Sequence, residues 1–175
     1  QFKGMQVYKS IQDINNTPQI LPVEREITIR DLMRHTSGMV YGFGKTPTDN
    51  MYKKAGFSSW DGTLEEFVTK VSEIPLVCQP GSEYIYSYST DVLGYLIEVI
   101  SCQPLDKFMK QHIFDPLEMN DTDFYVPTSK LSRLTNHYEF DKGTLRLADS
   151  AESSVFRKRP KALSGGGGWW TGYGG

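Results

Sequence analysis

The residue types best suited to chemistry crowd into one stretch, Tyr84-Ile85-Tyr86-Ser87-Tyr88-Ser89-Thr90-Asp91-Val92-Leu93-Gly94, where clustered hydroxyls directly precede an apolar run. Two readings fit. In one, Ser87 or Ser89 caps the helix formed by that run while the tyrosines pack beneath it, as aromatic clusters most often do. In the other, the segment presents a phenol and a hydroxyl at a helix N-terminus, where the backbone dipole favours negative charge. A free tyrosine titrates near about 10, so basic work near neutrality needs a close cation such as a lysine ammonium, each tenfold gain in phenolate costing ~1.4 kcal/mol of added interaction. On spacing alone the capping reading is favoured.

No complete catalytic set accompanies these hydroxyls. The chain holds no G-x-S-x-G elbow, S-x-x-K, K-[ST]-G, H-x-G or H-E-x-x-H, and no phosphate loop. His35, His112 and His137 lie far apart, and taken alone each reads as a packed or surface histidine. The run Gly165-Gly166-Gly167-Gly168 lacks the G-K-[ST] ending of a phosphate site. It reads instead as a place where strand and loop approach closely. Residue chemistry by itself spells out no reaction.

Composition narrows the class. The 175 residues suit a single domain and suffice for a core. A net charge of −2, with no basic tract longer than Arg157-Lys158-Arg159, argues against a nucleic-acid partner. No apolar stretch approaches the ~20 residues of a membrane-spanning helix. Cys78 and Cys102 have neither C-x-x-C nor Cys/His spacing, so no zinc site or disulfide framework is indicated. The opening run from Gln1 shows no leader pattern, and seven glycines fall between Ser164 and Gly175, so both ends read as cuts.

The positioning elements follow from caps and periods. Residues 1–26 read as an irregular lead-in, with Asn15-Asn16-Thr17-Pro18 as turn chemistry. Thr28 with Asp31 predicts a capping box for a helix carrying Ile29, Leu32 and Met33, stopped by Gly38. Residues 39–62 show no period and read as a long surface loop. Thr63 with Glu66 predicts a second box, with Leu64, Phe67, Val68 and Val71 on one face and a stop before Pro75. Val92, Leu93, Leu96, Ile97 and Ile100 cover an arc wide enough for a buried helix. Pro104 opens a fourth helix through Phe108 and Ile113, ended near Pro116. Asp123 to Val126 reads as a short strand, and the arms around Asp141-Lys142-Gly143 as a hairpin.

The motifs together resemble a known family. Ile27 through Gly38 is similar to "ITVRDLLTHTSG", and Gln79 through Ser87 to "qPGt.f.YS", of the serine β-lactamase-like proteins. These include class C β-lactamases, related esterases and transesterases, and D-alanyl-D-alanine carboxypeptidase-like proteins. Asp91-Val92-Leu93-Gly94 resembles "DVLG", residues 113–122 resemble "IF.PLGM.DT", and Ser164 to Gly168 resembles "sGGGGL". Each match is weak alone. Their shared order over residues 24–168 is specific.

The resemblance implies a helix-rich α+β fold, part of a β-lactamase/transpeptidase-like domain: a helical lobe over 27–122, strands and a glycine turn over 123–168, and an atypical tail over 169–175. It implies acyl transfer through a covalent acyl-enzyme, without metal or cofactor, on a small ester or amide, with neither nucleic acid nor a membrane span. The family's catalytic tyrosine maps onto Tyr86, with Ser87 and Tyr88 lining the cleft. Tyr88 stands where the β-lactamases carry Asn in Y-x-N, which favours ester substrates over β-lactams. The S-x-x-K serine belongs upstream of the run Phe2 to Tyr8, and the K-T-G or H-x-G strand beyond the glycine turn. The chain alone is therefore expected to be an inactive fragment; a standalone binding module or pseudoenzyme, or a decayed gene product, are the alternatives. In the family the His35 counterpart is not the base; it reads as a helix-end residue, and Ser37 as a cap or turn hydroxyl. Cys102 and Glu118 stand where the family often has glycine, and the ending from Trp169 departs from its usual continuation.

Overall fold

The computed structural model describes residues 2–9, 19–57, 61–167 and 170–171. The glycine-run end at Gly168 and most of the tail, 169 and 172–175, fall outside the described residues.

Capping chemistry places the first three helices. At α1 (Ile29–Met33) Thr28 Oγ1 accepts from Asp31 N at 3.2 Å and Asp31 Oδ2 accepts from Thr28 N at 2.9 Å, closing the expected box. Asp31 is buried and also takes a two-pronged ion pair from Arg25 at 2.6 and 2.8 Å. Helix α3 (Leu64–Ser72) repeats the device with Thr63 and Glu66, burying Leu64, Phe67, Val68 and Val71.

Two expectations fail on the N-terminal side. The stretch read as a surface loop contains α2 (Pro47–Ala55), with a capping box between Thr46 and Asp49 and Pro47 in the first turn. Pro47 acts there as a start signal, where its missing N–H costs nothing. Met39, Val40, Tyr52 and Phe57 from the same stretch are core residues. The irregular lead-in likewise contains β1 (Gln6–Lys9) paired antiparallel with β2 (Gln19–Pro22). Leu76 extends this ribbon, its N–H donating to Gln6 O at 2.8 Å and its carbonyl accepting from Tyr8 N at 2.7 Å.

Helix α4 (Ser89–Ser101) lies against α1, α3 and α5 (Leu105–Met109). It is less enclosed than its apolar arc predicts: Val92 is buried, whereas Ile100 is 71% exposed. Pro104 sits just before α5, which widens into a π-helical turn over Lys110–Phe114. Glu98 and Asp106 tie this corner together by accepting from Leu105 N at 2.8 Å and from Arg159 at 2.7 and 3.1 Å. Arg159 of the basic run is thus spent on an intramolecular ion pair with the buried Asp106.

Both departures from family glycine occupy left-handed backbone. Cys102 closes α4 at φ 55, and Glu118 has φ 55. Such a conformation brings Cβ against the following carbonyl in an L residue, which is why helix ends favour glycine.

The remaining strands are short. β3 (Thr122–Asp123) pairs with β6 (Trp170–Thr171), so the strand expected over 123–126 is shorter and starts earlier. β4 (His137–Asp141) and β5 (Thr144–Asp149) form the expected hairpin, with Lys142 at φ 48 and Gly143 at φ 85. Two successive positive φ values match the twist of the flanking strands. The core falls into a large cluster around Met39, Tyr52, Val68 and Leu76 and a smaller one around Leu105, Phe114, Phe124 and Leu163.

Candidate active site

The tyrosine segment is held by His35–Gly38, one residue beyond α1. Helix α1 ends earlier than expected: His35, not Gly38, takes the first left-handed conformation, at φ 53. From there His35 O accepts from Ile85 N at 2.8 Å, Thr36 O from Gly81 N at 2.7 Å, and Gly38 O from Val77 N at 2.9 Å. Gly38 has φ +84, and a Cβ there would overlap the Cys78 carbonyl oxygen. The His-Thr-Ser-Gly run is a backbone strip onto which residues 77–89 dock.

Ser37 and Ser89 clasp the two runs from inside. Their hydroxyl oxygens lie 2.8 Å apart, and Ser89 Oγ is 2.9 Å from Ser87 Oγ, with all three serines fully buried. Ser37 Oγ also accepts from Met39 N at 3.2 Å. Neither Ser87 nor Ser89 caps α4; Tyr88 holds the N-cap position without a side-chain cap bond. The serines prefer each other because their hydroxyls face a dry interior, where an unpaired polar group is costly.

Extended backbone alternates side chains between faces. Ser87 therefore points inward while Tyr84 and Tyr86 point outward, 68% and 57% exposed. The Tyr86 ring lies between His35 and Tyr41, at centroid distances of 4.9 and 5.0 Å. Tyr88 is half-buried in an aromatic nest, 4.4 Å from Tyr41, 5.1 Å from Phe67 and 5.6 Å from Phe57. The packing reading of the tyrosines thus holds for Tyr88 and not for Tyr84 or Tyr86.

The glycine turn completes this end of α4. Ser164 Oγ donates to Asp91 Oδ1 at 2.5 Å, and Gly166 N donates to Ser164 Oγ at 3.2 Å. A Cβ at Gly165 would overlap the Thr90 carbonyl oxygen, so the turn sits directly on the helix. A Cβ at Gly166 would lie 2.5 Å from Thr90 Oγ1, 3.0 Å from Asp91 Oδ2 and 3.1 Å from the Tyr41 hydroxyl; these three groups converge there. Beside them Phe57, Leu64, Phe67, Tyr88, Asp91, Ala162 and Ser164 line a pocket of about 160 Å³.

Electrostatics separates the phenols. Burial, reinforced by the Asp91 carboxylate, pushes Tyr41 above the ordinary tyrosine range and Tyr88 up to about 12, which holds both as neutral phenols. Burial also raises Asp91 and lowers His35. Among the described residues no three His, Cys, Asp or Glu side chains converge as a metal site, and no helix is long and apolar enough to cross a membrane.

Sequence reasoning placed Tyr86 and Tyr88 in one segment but missed Tyr41, which lay in the supposed loop with no motif to mark it. It also read His35 only as a helix end. The signal for more was available in its position, next to the Thr-Ser-Gly run that binds the tyrosine segment.

The ordered motifs, the docked tyrosine segment and the glycine turn on α4 define a serine β-lactamase-like α+β domain. The family model described as Beta-lactamase matches residues 19–172, and the chain belongs to that family. Lovastatin esterase of Penicillium rubens is 30% identical over 147 residues, 83% of this chain and 36% of its own length. An uncharacterized protein of Mycobacterium tuberculosis is 32% identical over 151 residues, 86% of this chain and 37% of its own. Unliganded simvastatin synthase from Aspergillus terreus superposes with a TM-score of 0.73 at 26% identity, covering 98% of this chain and 42% of that one. The chain spans little more than a third of the length of the two sequence relatives.

Proposed function

We propose that this chain forms the helical part of a serine hydrolase that acts through an acyl-enzyme on carboxylic esters, with β-lactam or peptide amides as the second substrate class. Tyr86 is the general base. The observation that carries this reading is the exposed Tyr86 ring, held between His35 and Tyr41 at the entrance to α4. Relatives named as an esterase and a methylbutanoyltransferase support ester over amide chemistry.

The nucleophilic serine and its lysine, the S-x-x-K pair, lie outside these residues in this proposal, as does the K-T-G or H-x-G strand. Tyr86, as phenolate beside the lysine ammonium, takes the serine proton as the serine oxygen bonds to the acyl carbon. The alcohol then leaves with the proton that Tyr86 returns, and water releases the acid by the same route. Ser87 frames the cleft through its backbone, because its hydroxyl is taken up by Ser89. Tyr88 contributes its ring to the adjoining pocket. The chemistry calls on no metal or cofactor.

The test has two arms. A fluorophosphonate or penicillin probe incubated with the 175-residue chain gives no adduct by intact mass. A stoichiometric adduct on one of its serines would overturn the assignment of the nucleophile elsewhere. Extension of the coding frame upstream then yields an S-x-x-K helix and probe labelling; a frame without one leaves a non-catalytic module or a decayed gene product.

A further inference from the structure

We propose that His35 is a positioning residue for Tyr86, gripping the tyrosine segment through its ring, its carbonyl and its Nδ1. This role rests on the reading of Tyr86 as the base and adds what holds that base in place. The His35 and Tyr86 ring centroids are 4.9 Å apart at an interplanar angle of 49°. The amide on each side of Tyr86 is also bound to the same residue: Ile85 N donates to His35 O at 2.8 Å, and Ser87 N donates to His35 Nδ1 at 3.3 Å. One histidine therefore fixes the backbone before and after the phenol and packs on the phenol itself.

The left-handed backbone at His35, φ 53, belongs to this arrangement. Histidine is among the residue types that tolerate this conformation. An Nδ1 that accepts a hydrogen bond carries no proton, which makes the ring the neutral Nε2–H tautomer. Protonation would place an N–H against the Ser87 N–H and break that bond. The titratable groups facing the ring are Tyr86 and, at 5.9 Å edge-on, Tyr84. Among the described residues no carboxylate pairs with it, and Asp31 of the preceding helix is taken up by Arg25, Thr28 and Thr36. Burial lowers the His35 pKa from 6.5 and so favours the accepting form at neutral pH.

Proton and nitrogen NMR on the full chain tests this. Near neutral pH the His35 ring nitrogens report the Nε2–H tautomer; on acidification the Ser87 amide and Tyr86 ring signals move with the His35 midpoint. His35→Asn, which offers an acceptor near the Nδ1 position and tolerates the left-handed backbone, keeps the Ser87 amide signal in place, shifts the Tyr86 ring signals because the imidazole no longer packs on them, and removes the titration of both. His35→Ala displaces both at every pH. An Nδ1–H tautomer overturns the proposal, as does a Tyr86 signal indifferent to His35 protonation or to His35→Ala. The tautomer is read without any variant, so a misfolded alanine protein leaves the question decided. None of these readouts depends on catalysis, and loss of the base assignment for Tyr86 would leave the contact itself intact.

Discussion

The hydroxyls of Ser37 and Ser89 meet 2.8 Å apart across 52 residues of sequence, fully buried, and Ser87 joins them at 2.9 Å. This clasp joins the strip after α1 to the start of α4 and lies directly beneath the loop that carries Tyr86. Removing its central member takes the hydroxyl partner from both Ser37 and Ser87, which keep only the amide bonds from Met39 and Ser89. Ser89→Ala should destabilise the chain by about 1–3 kcal/mol, read from urea unfolding. Ser37→Ala combined with Ser89→Ala should cost less than the sum of the two, by roughly 0.5 kcal/mol or more, because they share one bond.

Cys102 and Glu118 make the opposite prediction. Both are exposed, and each holds φ 55. Cys102→Gly and Glu118→Gly should each stabilise by about 1 kcal/mol, since the left-handed penalty disappears and little packing is lost. Thermal unfolding of the two variants checks this; a lower midpoint in both would show that the side chains make contacts worth more than the strain.

Gly38→Ala should be damaging in proportion to its geometry. The added methyl meets the Cys78 carbonyl oxygen on a backbone at φ +84. A loss of about 2–4 kcal/mol is expected, with the Val77–Gly38 and Gly81–Thr36 amide bonds losing hydrogen-exchange protection together.

Asp31 supplies a signature in acid. The Arg25 guanidinium, bonded to it twice, holds its carboxyl well below the usual carboxylate range, and Thr28 and Thr36 add hydrogen bonds to the charged form. A depressed folded pKa means stability that is complete above the unfolded value of about 3.9 and lost as pH falls through the folded one. Asp31→Asn should therefore lower the urea midpoint at neutral pH and flatten its fall below about pH 4. Asp49, Asp106 and Asp121 are lowered in the same direction, so the variant retains part of the acid slope.

Tyr86→Phe separates catalysis from support once the chain is joined to an S-x-x-K serine. Deleting the phenolic oxygen should reduce kcat about 10²–10⁴-fold while KM changes little. Tyr41→Phe, which keeps the ring beside Tyr86, should retain most of the rate. Equal kinetics for Tyr86→Phe and wild type would remove the base assignment.

Short-range chemistry is legible in the residue string. The Thr28–Asp31 and Thr63–Glu66 caps, the Lys142-Gly143 turn and the ordered family motifs each involve residues within a few positions of one another, so their hydrogen bonds or φ demands can be read directly. The third cap, Thr46–Asp49, was equally local but hidden by Pro47, which announces a helix start as readily as a break. The family resemblance singled out Tyr86. It took the assembled fold to turn Ser87 inward, to bring Tyr41 and His35 against the phenol ring, and to lay the glycine turn on α4. Those relationships join segments about fifty or more residues apart, as the Ser37–Ser89 and Ser164–Asp91 bonds do. No periodicity records them, because they depend on which faces remain to be covered after the local elements have formed.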